Sequence, residues 1–246
     1  EDLVSELQTT DCFGVFVQYP GNNGGVVDLS PIVELAHAKN TLVSVATDLM
    51  ALVMLKPPGE FGVDVVIGAA QRFGVPMGYG GPHAAFLATR EEYRRSVPGR
   101  IIGVSKDRYG QPALRMALQT REQHIRREKA MSNICTAQAL LALMAGFYGV
   151  WHGPDGLTEI AKRIHRLTGH LAKGLKKAGW RLESEAFFDT ISINVDEPKR
   201  QAILHQANQA GINLRSDREG FIGVSVNECT RLEHIDALLS AFEAET

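Results

Sequence analysis

The stretches CFGVFVQY (Cys12–Tyr19) and TLVSVATD (Thr41–Asp48) decide the fold class. Each is a short apolar run rich in β-branched or aromatic residues, the signature of a buried strand. Between them, Pro20-Gly21-Asn22-Asn23-Gly24-Gly25 is a dense turn signal. Ser30-Pro31 then supplies an N-cap and a proline at the first helical position, and Ile32, Val33, Leu35 and Ala36 give that helix an apolar face up to Asn40. Two further apolar runs follow: Val63–Ile67 after Pro57-Pro58-Gly59, and Ala84–Ala88 after a glycine-rich loop. Short strands separated by a helix and long loops predict an α/β sheet, mostly parallel and covered on both faces.

Downstream the pattern changes. Asn133–Val150 (NICTAQALLALMAGFYGV) is apolar nearly all round, which predicts a helix buried inside a domain or against a second one. Gly153-Pro154 breaks it. Leu157, Ile160, Ala161, Ile164, Leu167, Leu171 and Leu175 then recur at helical spacing until Gly179. The remainder alternates: a strand at Thr190–Val195, a helix at Lys199–Ala210, short strands near Ile212–Leu214 and Phe221–Val226, and a closing helix opened by a capping box of Thr230 and Glu233. A domain boundary is expected near Gly153, giving residues 1–152 and 153–246.

The chain's 246 residues are 44% hydrophobic and 22% charged, with 26 Lys+Arg against 28 Asp+Glu for a net charge of −2. That balance argues against broad nucleic-acid binding. No apolar run approaches the roughly 20 residues of a membrane span, so no membrane partner is expected. The start, Glu1-Asp2-Leu3-Val4, has no leader character and no initiator Met, as expected of an excised or processed piece. Cys12, Cys135 and Cys229 are odd in number and far apart, which fits neither a disulfide framework nor a CxxC site and points to a reducing compartment. The eight histidines show no metal-ligand spacing, so no metal is assigned.

Three places carry candidate chemistry. Asp48 directly follows a strand, where open α/β sheets present ligand-binding groups; a carboxylate there suits a cofactor cation or a pyridinium nitrogen, and equally a helix N-cap. Pro76-Met77-Gly78-Tyr79-Gly80-Gly81-Pro82 is a glycine loop able to bring backbone N–H groups close to an anion, with His83 beside it; a tight structural turn reads equally well. It matches neither GxGxxG nor GxxxxGK[ST]. TREQHIRREK (Thr120–Lys129) puts Arg121, His124 and Glu128 on one helical face and pairs Glu122 with Arg126 on another. That basic stretch suits a carboxylate, a phosphate or an acidic protein surface, although an intramolecular ion-pair face is the commoner outcome. No GxSxG elbow is present, and no catalytic nucleophile is assigned.

Taken together, GVDVVIGAAQRFGVPMGYGGPHAAFLAT (Gly62–Thr89), PGRIIG (Pro98–Gly103) and LQTREQHIRREKAMSNICTAQALLAL (Leu118–Leu143) resemble one family: glycine dehydrogenase (decarboxylating), the P-protein of the glycine cleavage system. The likeness is to the later part of its N-terminal half, or of the separate subunit matching that half in split enzymes. The resemblance implies the fold of type I pyridoxal-phosphate (PLP) transferases, a partial large domain followed by a smaller C-terminal α/β domain. It also implies an oxidoreductase of glycine catabolism that decarboxylates glycine on PLP and passes the aminomethyl group to the lipoyl arm of H-protein. In catalytic relatives a His-Lys pair precedes the shared proline, and the lysine carries PLP. Counting back from Pro76 places that lysine at Gln71 and the histidine at Ala70. Glutamine forms no imine, and no lysine occurs between Lys56 and Lys106.

Asp48 aligns with the aspartate that pairs the pyridine nitrogen. The resemblance therefore implies a remnant site of Asp48, Gln71, Gly80, Gly81 and His83 in a non-catalytic half that binds no PLP covalently and is inactive alone. Its partners would be the catalytic half or subunit, with Arg121, Arg126 and Arg127 helping to meet it or the lipoyl carrier, and an oligomer is expected. The cytoplasm of a bacterium, or the mitochondrial matrix of a eukaryote, is the implied location. Two alternatives stay open: a scaffold that binds no cofactor at all, and an unrelated type I PLP enzyme using a lysine such as Lys56.

Overall fold

The computed structural model describes residues 2–118, 123–130 and 138–244. The chain opens with a helix absent from the sequence reading, α1 (Asp2–Thr9), and continues through β1 (Gly14–Tyr19), α2 (Ser30–Ala38), β2 (Leu42–Thr47), β3 (Val65–Ala69) and β4 (Ala85–Thr89). The four strands form one sheet in the order β1-β2-β3-β4. The first three are parallel, with Val43 opposite Val15 and Val45 opposite Val66, and β4 runs antiparallel to β3. Alternate residues Val43 and Val45 are buried against Val33 and Ala36 of α2, so period-2 and period-3.6 faces meet in one core. Helix α2 begins at Ser30 with Leu29 at the N-cap position, and the Asp28 carboxylate accepts the Ser30 N–H at 2.9 Å. The expected Ser30 cap is thus supplied two residues earlier by Asp28.

A hairpin follows that the sequence reading passed over: β5 (Ile102–Lys106) and β6 (Pro112–Met116), antiparallel, with Val104 opposite Leu114. Of the basic segment, the described part is a single turn, α3 (Gln123–Arg126), and a 3-10 turn over Arg127–Lys129. Arg127 has φ 50°. This left-handed residue interrupts the winding, so the expected single helical face does not run through it. Arg121, Glu122 and the stretch 131–137 lie outside the described residues.

The helical stretch α4 (Ala139–Lys177) consists of two helices that meet at a kink at Gly153, where the sequence places the break. Gly153 adopts φ 60°, ψ −178°, and the helix resumes at Pro154, whose missing N–H is harmless at a helix start. Beyond the kink, Ala161, Ile164, Leu167, Leu171 and Leu175 are buried at spacings of three and four, as their periodicity predicts. They share a core with Ile191 and Ile193 of β7 (Thr190–Asn194), Ile203 of α5 (Glu197–Gln209), Ile222 and Val224 of β8 (Phe221–Ser225) and Ile235 and Leu239 of α6 (Leu232–Ala241). β7 and β8 are antiparallel.

Two local expectations change here. Ile212–Leu214 forms no strand; the neighbouring Arg215 makes only an isolated bridge to Gly223. The Thr230–Glu233 capping box is also absent. The Thr230 hydroxyl accepts the Asn227 N–H and donates to the Asn227 side chain, both at 3.1 Å, so it is spent on the preceding turn. Helix α6 starts one residue later, at an Arg231 N-cap whose N–H donates to His234 Nδ1.

Candidate functional site

The carboxyl ends of β2 and β3 lie side by side because the strands are parallel and in register. Asp48 is the first residue after β2 and Gln71 the second after β3, so both project from the same edge of the sheet. Asp48 is fixed from its own segment: Oδ1 accepts the Met50 N–H at 3.0 Å, and the Asp48 carbonyl accepts the Leu52 N–H. Met50 and Ala51, just beyond, are fully buried in the core shared with α4 and α6.

The remaining carboxylate oxygen of Asp48 is taken by a residue that the sequence reading did not select. Arg72 Nη1 donates to Asp48 Oδ2 at 3.0 Å and to Asp189 Oδ2 at 2.6 Å. One nitrogen thus ties the end of β2, the turn after β3 and the residue before β7. Burial pushes the Asp48 carboxyl up from its ordinary pKa, against the pull of Arg72. For Arg72 burial works to lower the pKa, but Asp48 and Asp189 together outweigh it and hold the guanidinium above its ordinary value. Among the described residues, Arg72 Nε and Nη2 are shielded from solvent and have no hydrogen-bond partner.

Tyr148 of α4 completes this edge. Its ring lies 5.7 Å from that of Phe73 and 4.4 Å from that of His152. Burial, then the charge of Glu228, raises its hydroxyl pKa.

The other sequence candidates are placed as follows. Gln71 is half-buried, and its carbonyl accepts the Val75 N–H at 3.1 Å. In the glycine loop, the Gly80 N–H donates to the Met77 carbonyl and the Gly81 N–H to the Gly78 carbonyl. Both amides offered to an anion are therefore spent within the loop. His83 is exposed, Arg126 half-buried and Arg127 exposed. Lys56 is exposed, its ammonium 4.2 Å from the centre of the Phe61 ring. The structure brings Asp48 and the turn carrying Gln71 together through Arg72. A second tie runs from the loop after β1: Ser192 Oγ donates to the Asn23 carbonyl at 3.0 Å, and Val26 N–H donates to the Ala186 carbonyl at 3.0 Å.

No signal in the local sequence marked Arg72, because Asp189 lies 117 residues away. An arginine directly after the Gln71 position, three residues past a strand end, was the available hint. Among the described residues no helix is long and apolar enough to cross a membrane.

Comparison with known proteins gives a consistent result. A family model described as "Glycine cleavage system P-protein" matches residues 1–242. Glycine dehydrogenase (decarboxylating) of Photobacterium profundum is 57% identical over 239 residues, covering 97% of this chain and 25% of that protein. The Vibrio cholerae protein of the same name is 58% identical over 241 residues, with 98% and 25% covered. The chain thus spans about a quarter of the length of the curated relatives it matches. Among solved structures, an inhibitor-bound glycine decarboxylase (P-protein) superposes with TM-score 0.83 at 34% identity, over 94% of this chain and 54% of that one. A NifS-like protein from Rickettsia africae (TM-score 0.67, 18% identity, 98% of this chain and 64% of that one) and an aspartate aminotransferase from Thermus thermophilus (0.63, 14%, 98% and 67%) share the fold alone. The fold is that of the type I PLP-dependent enzymes.

Proposed function

The chain belongs to the glycine cleavage system P-protein family, and from that premise we propose that it is a non-catalytic part of glycine dehydrogenase (decarboxylating), drawn from the N-terminal half or its split-subunit counterpart. The complete enzyme decarboxylates glycine with PLP and hands the aminomethyl group to the lipoyl arm of H-protein; this chain contributes interface and shape. In a bacterium such as those of its relatives, it works in the cytoplasm.

Position 71 carries the reading. Where catalytic relatives have the PLP lysine, this chain has Gln71, whose amide forms no imine. The surroundings point the same way. Asp48, the counterpart of the aspartate on the pyridine nitrogen, already has a cation in Arg72. The residues present do not fit PLP, and no chemical step is assigned to them. Arg126 and Arg127 are assigned to the face that meets the catalytic half or H-protein; charge reversal at both should lower H-protein-dependent decarboxylation by the assembled enzyme, and unchanged activity removes that assignment.

The test of the main reading is direct. The chain is incubated with PLP, reduced with borohydride and mapped by peptide mass spectrometry. No specific adduct is expected. A stoichiometric adduct on one lysine, Lys56 above all, overturns the reading and favours an active site within the chain.

A further inference from the structure

Asp48 is held at both carboxylate oxygens. Oδ1 accepts the Met50 N–H and Oδ2 accepts from Arg72 Nη1, each at 3.0 Å. The far end of the tie is fixed as firmly: the Thr190 hydroxyl donates to Asp189 Oδ1 at 2.9 Å, while Oδ2 takes the same Arg72 nitrogen at 2.6 Å. Glu228 adds a third negative charge acting on the guanidinium. Drawing Arg72 away from Asp48 therefore costs its contact with Asp189 as well, because one nitrogen makes both.

A guanidinium and a pyridinium ring present the same thing to a carboxylate, a flat cation with an N–H in its plane. They differ in that a guanidinium never gives up its charge at ordinary pH. Asp48 is thus already neutralised, and by a group carried on the chain itself, which needs no free ligand to stay in place. Nε and Nη2 are shielded from solvent, so the body of the guanidinium, and not one N–H alone, fills the space beside Oδ2. In the turn after β3 the residue that forms no imine and the residue that takes the carboxylate are direct neighbours, Gln71 and Arg72.

We propose that Arg72 is a second, independent closure of the remnant site: its guanidinium stands in for the cofactor's ring cation on Asp48 and turns that carboxylate into one end of a clasp on Asp189, so that a lysine returned to position 71 finds no PLP site to serve. The clasp gives the carboxylate a new use, since it pins the end of β2 and the turn after β3 to the segment before β7. This inference rests on the non-catalytic reading and deepens it. Gln71 accounts for the loss of the covalent anchor, and Arg72 for the loss of the free anion that would face the ring.

The test uses a full-length Photobacterium profundum P-protein whose matching quarter is replaced by this sequence, so that any grip on the cofactor outside these residues is present. The probe is PLP, followed by borohydride reduction, and peptide mass spectrometry separates position 71 from every other lysine. Gln71→Lys alone is expected to give no specific adduct at position 71. Gln71→Lys with Arg72→Ala and Asp189→Asn removes the cation together with the carboxylate it would strand. At the same PLP concentration this triple variant is expected to raise the adduct at position 71 by about tenfold or more, the size of one charge-assisted contact. A stoichiometric adduct in the single variant, or no gain in a triple variant that melts cooperatively, overturns the proposal. The single variant keeps the clasp, so its result decides even where the triple variant does not fold. The unsubstituted sequence separates the two readings: a stoichiometric adduct within it defeats the non-catalytic reading, whereas an adduct confined to position 71 of the single variant defeats the closure alone.

Discussion

Arg72 holds two carboxylates with one nitrogen, and its removal leaves Asp48 and Asp189 facing each other with side chains 25% and 13% exposed. Fully buried pairs lose about 3–5 kcal/mol when one partner is deleted. Partial exposure lowers this, so Arg72→Ala should cost about 2–4 kcal/mol in urea unfolding. Adding Asp189→Asn should recover part of the loss, because the two sites share one interaction. A fully additive double mutant would show that the contact carries no coupling.

Asp48 gives a signed pH effect. Its folded pKa is raised, chiefly by burial, so the folded chain holds that proton more tightly than the unfolded chain does. The contribution is therefore complete below the ordinary carboxylate pKa and is lost as pH rises through the raised one. The amide introduced by Asp48→Asn cannot titrate. The melting temperature of wild type minus that of Asp48→Asn should accordingly fall as the pH rises above the ordinary carboxylate pKa of about 4; a difference that rises contradicts the assignment.

Among the elements, α4 depends on one backbone conformation. Gly153 at φ 60°, ψ −178° sits in a region essentially reserved for glycine, and a Cβ there would meet nothing within 4 Å. The whole cost of Gly153→Ala is therefore backbone strain, about 1–3 kcal/mol in denaturant unfolding. Gly146 provides the opposite case. It lies in the straight part of the same helix with open space around it, so Gly146→Ala should stabilise by about 0.5–1 kcal/mol. Equal effects at the two sites would mean that the kink is not held by Gly153. A close approach of a different kind joins the loop after β1 to β7: a Cβ on Gly24, at φ 89°, would lie 1.9 Å from the Thr190 carbonyl oxygen.

On the scale of the whole molecule, apolar surface is left over. Among the described strands, β1 pairs only with β2 and β4 only with β3, so both sheet edges are open. Phe13 and Phe16 are exposed at the β1 edge, and Val104 and Leu114 on the β5–β6 hairpin. Open edges and uncovered apolar faces drive association. The isolated chain should therefore show a light-scattering mass that rises with concentration; a clean, soluble monomer at high concentration would contradict this.

Periodicity in the sequence was enough to place β1, α2, β2, β3, β4, the buried stripe of α4 and the last strands and helices, because local propensity and the spacing of apolar residues act over one or two turns. The family pattern around Gln71 was legible for the same reason, as a short run of consecutive residues. The β5–β6 hairpin went unread. Its side chains alternate without a buried face, with Val104 and Leu114 largely in solvent, so no hydrophobic period announced it. The all-apolar start of α4 was legible as a helix needing cover, but only the fold showed that one face is covered and the other is open. The Thr230 cap failed because a hydroxyl has one best partner, and the turn at Asn227 claimed it first. The Arg72 tie was beyond any local reading: its worth depends on Asp189 arriving from 117 residues away, and only the packing of the C-terminal core against the sheet brings it there. The sequence by itself determined most of the elements and set glutamine at position 71; tertiary structure decided which charges meet and which faces stay open, because both depend on distances that no stretch of chain contains.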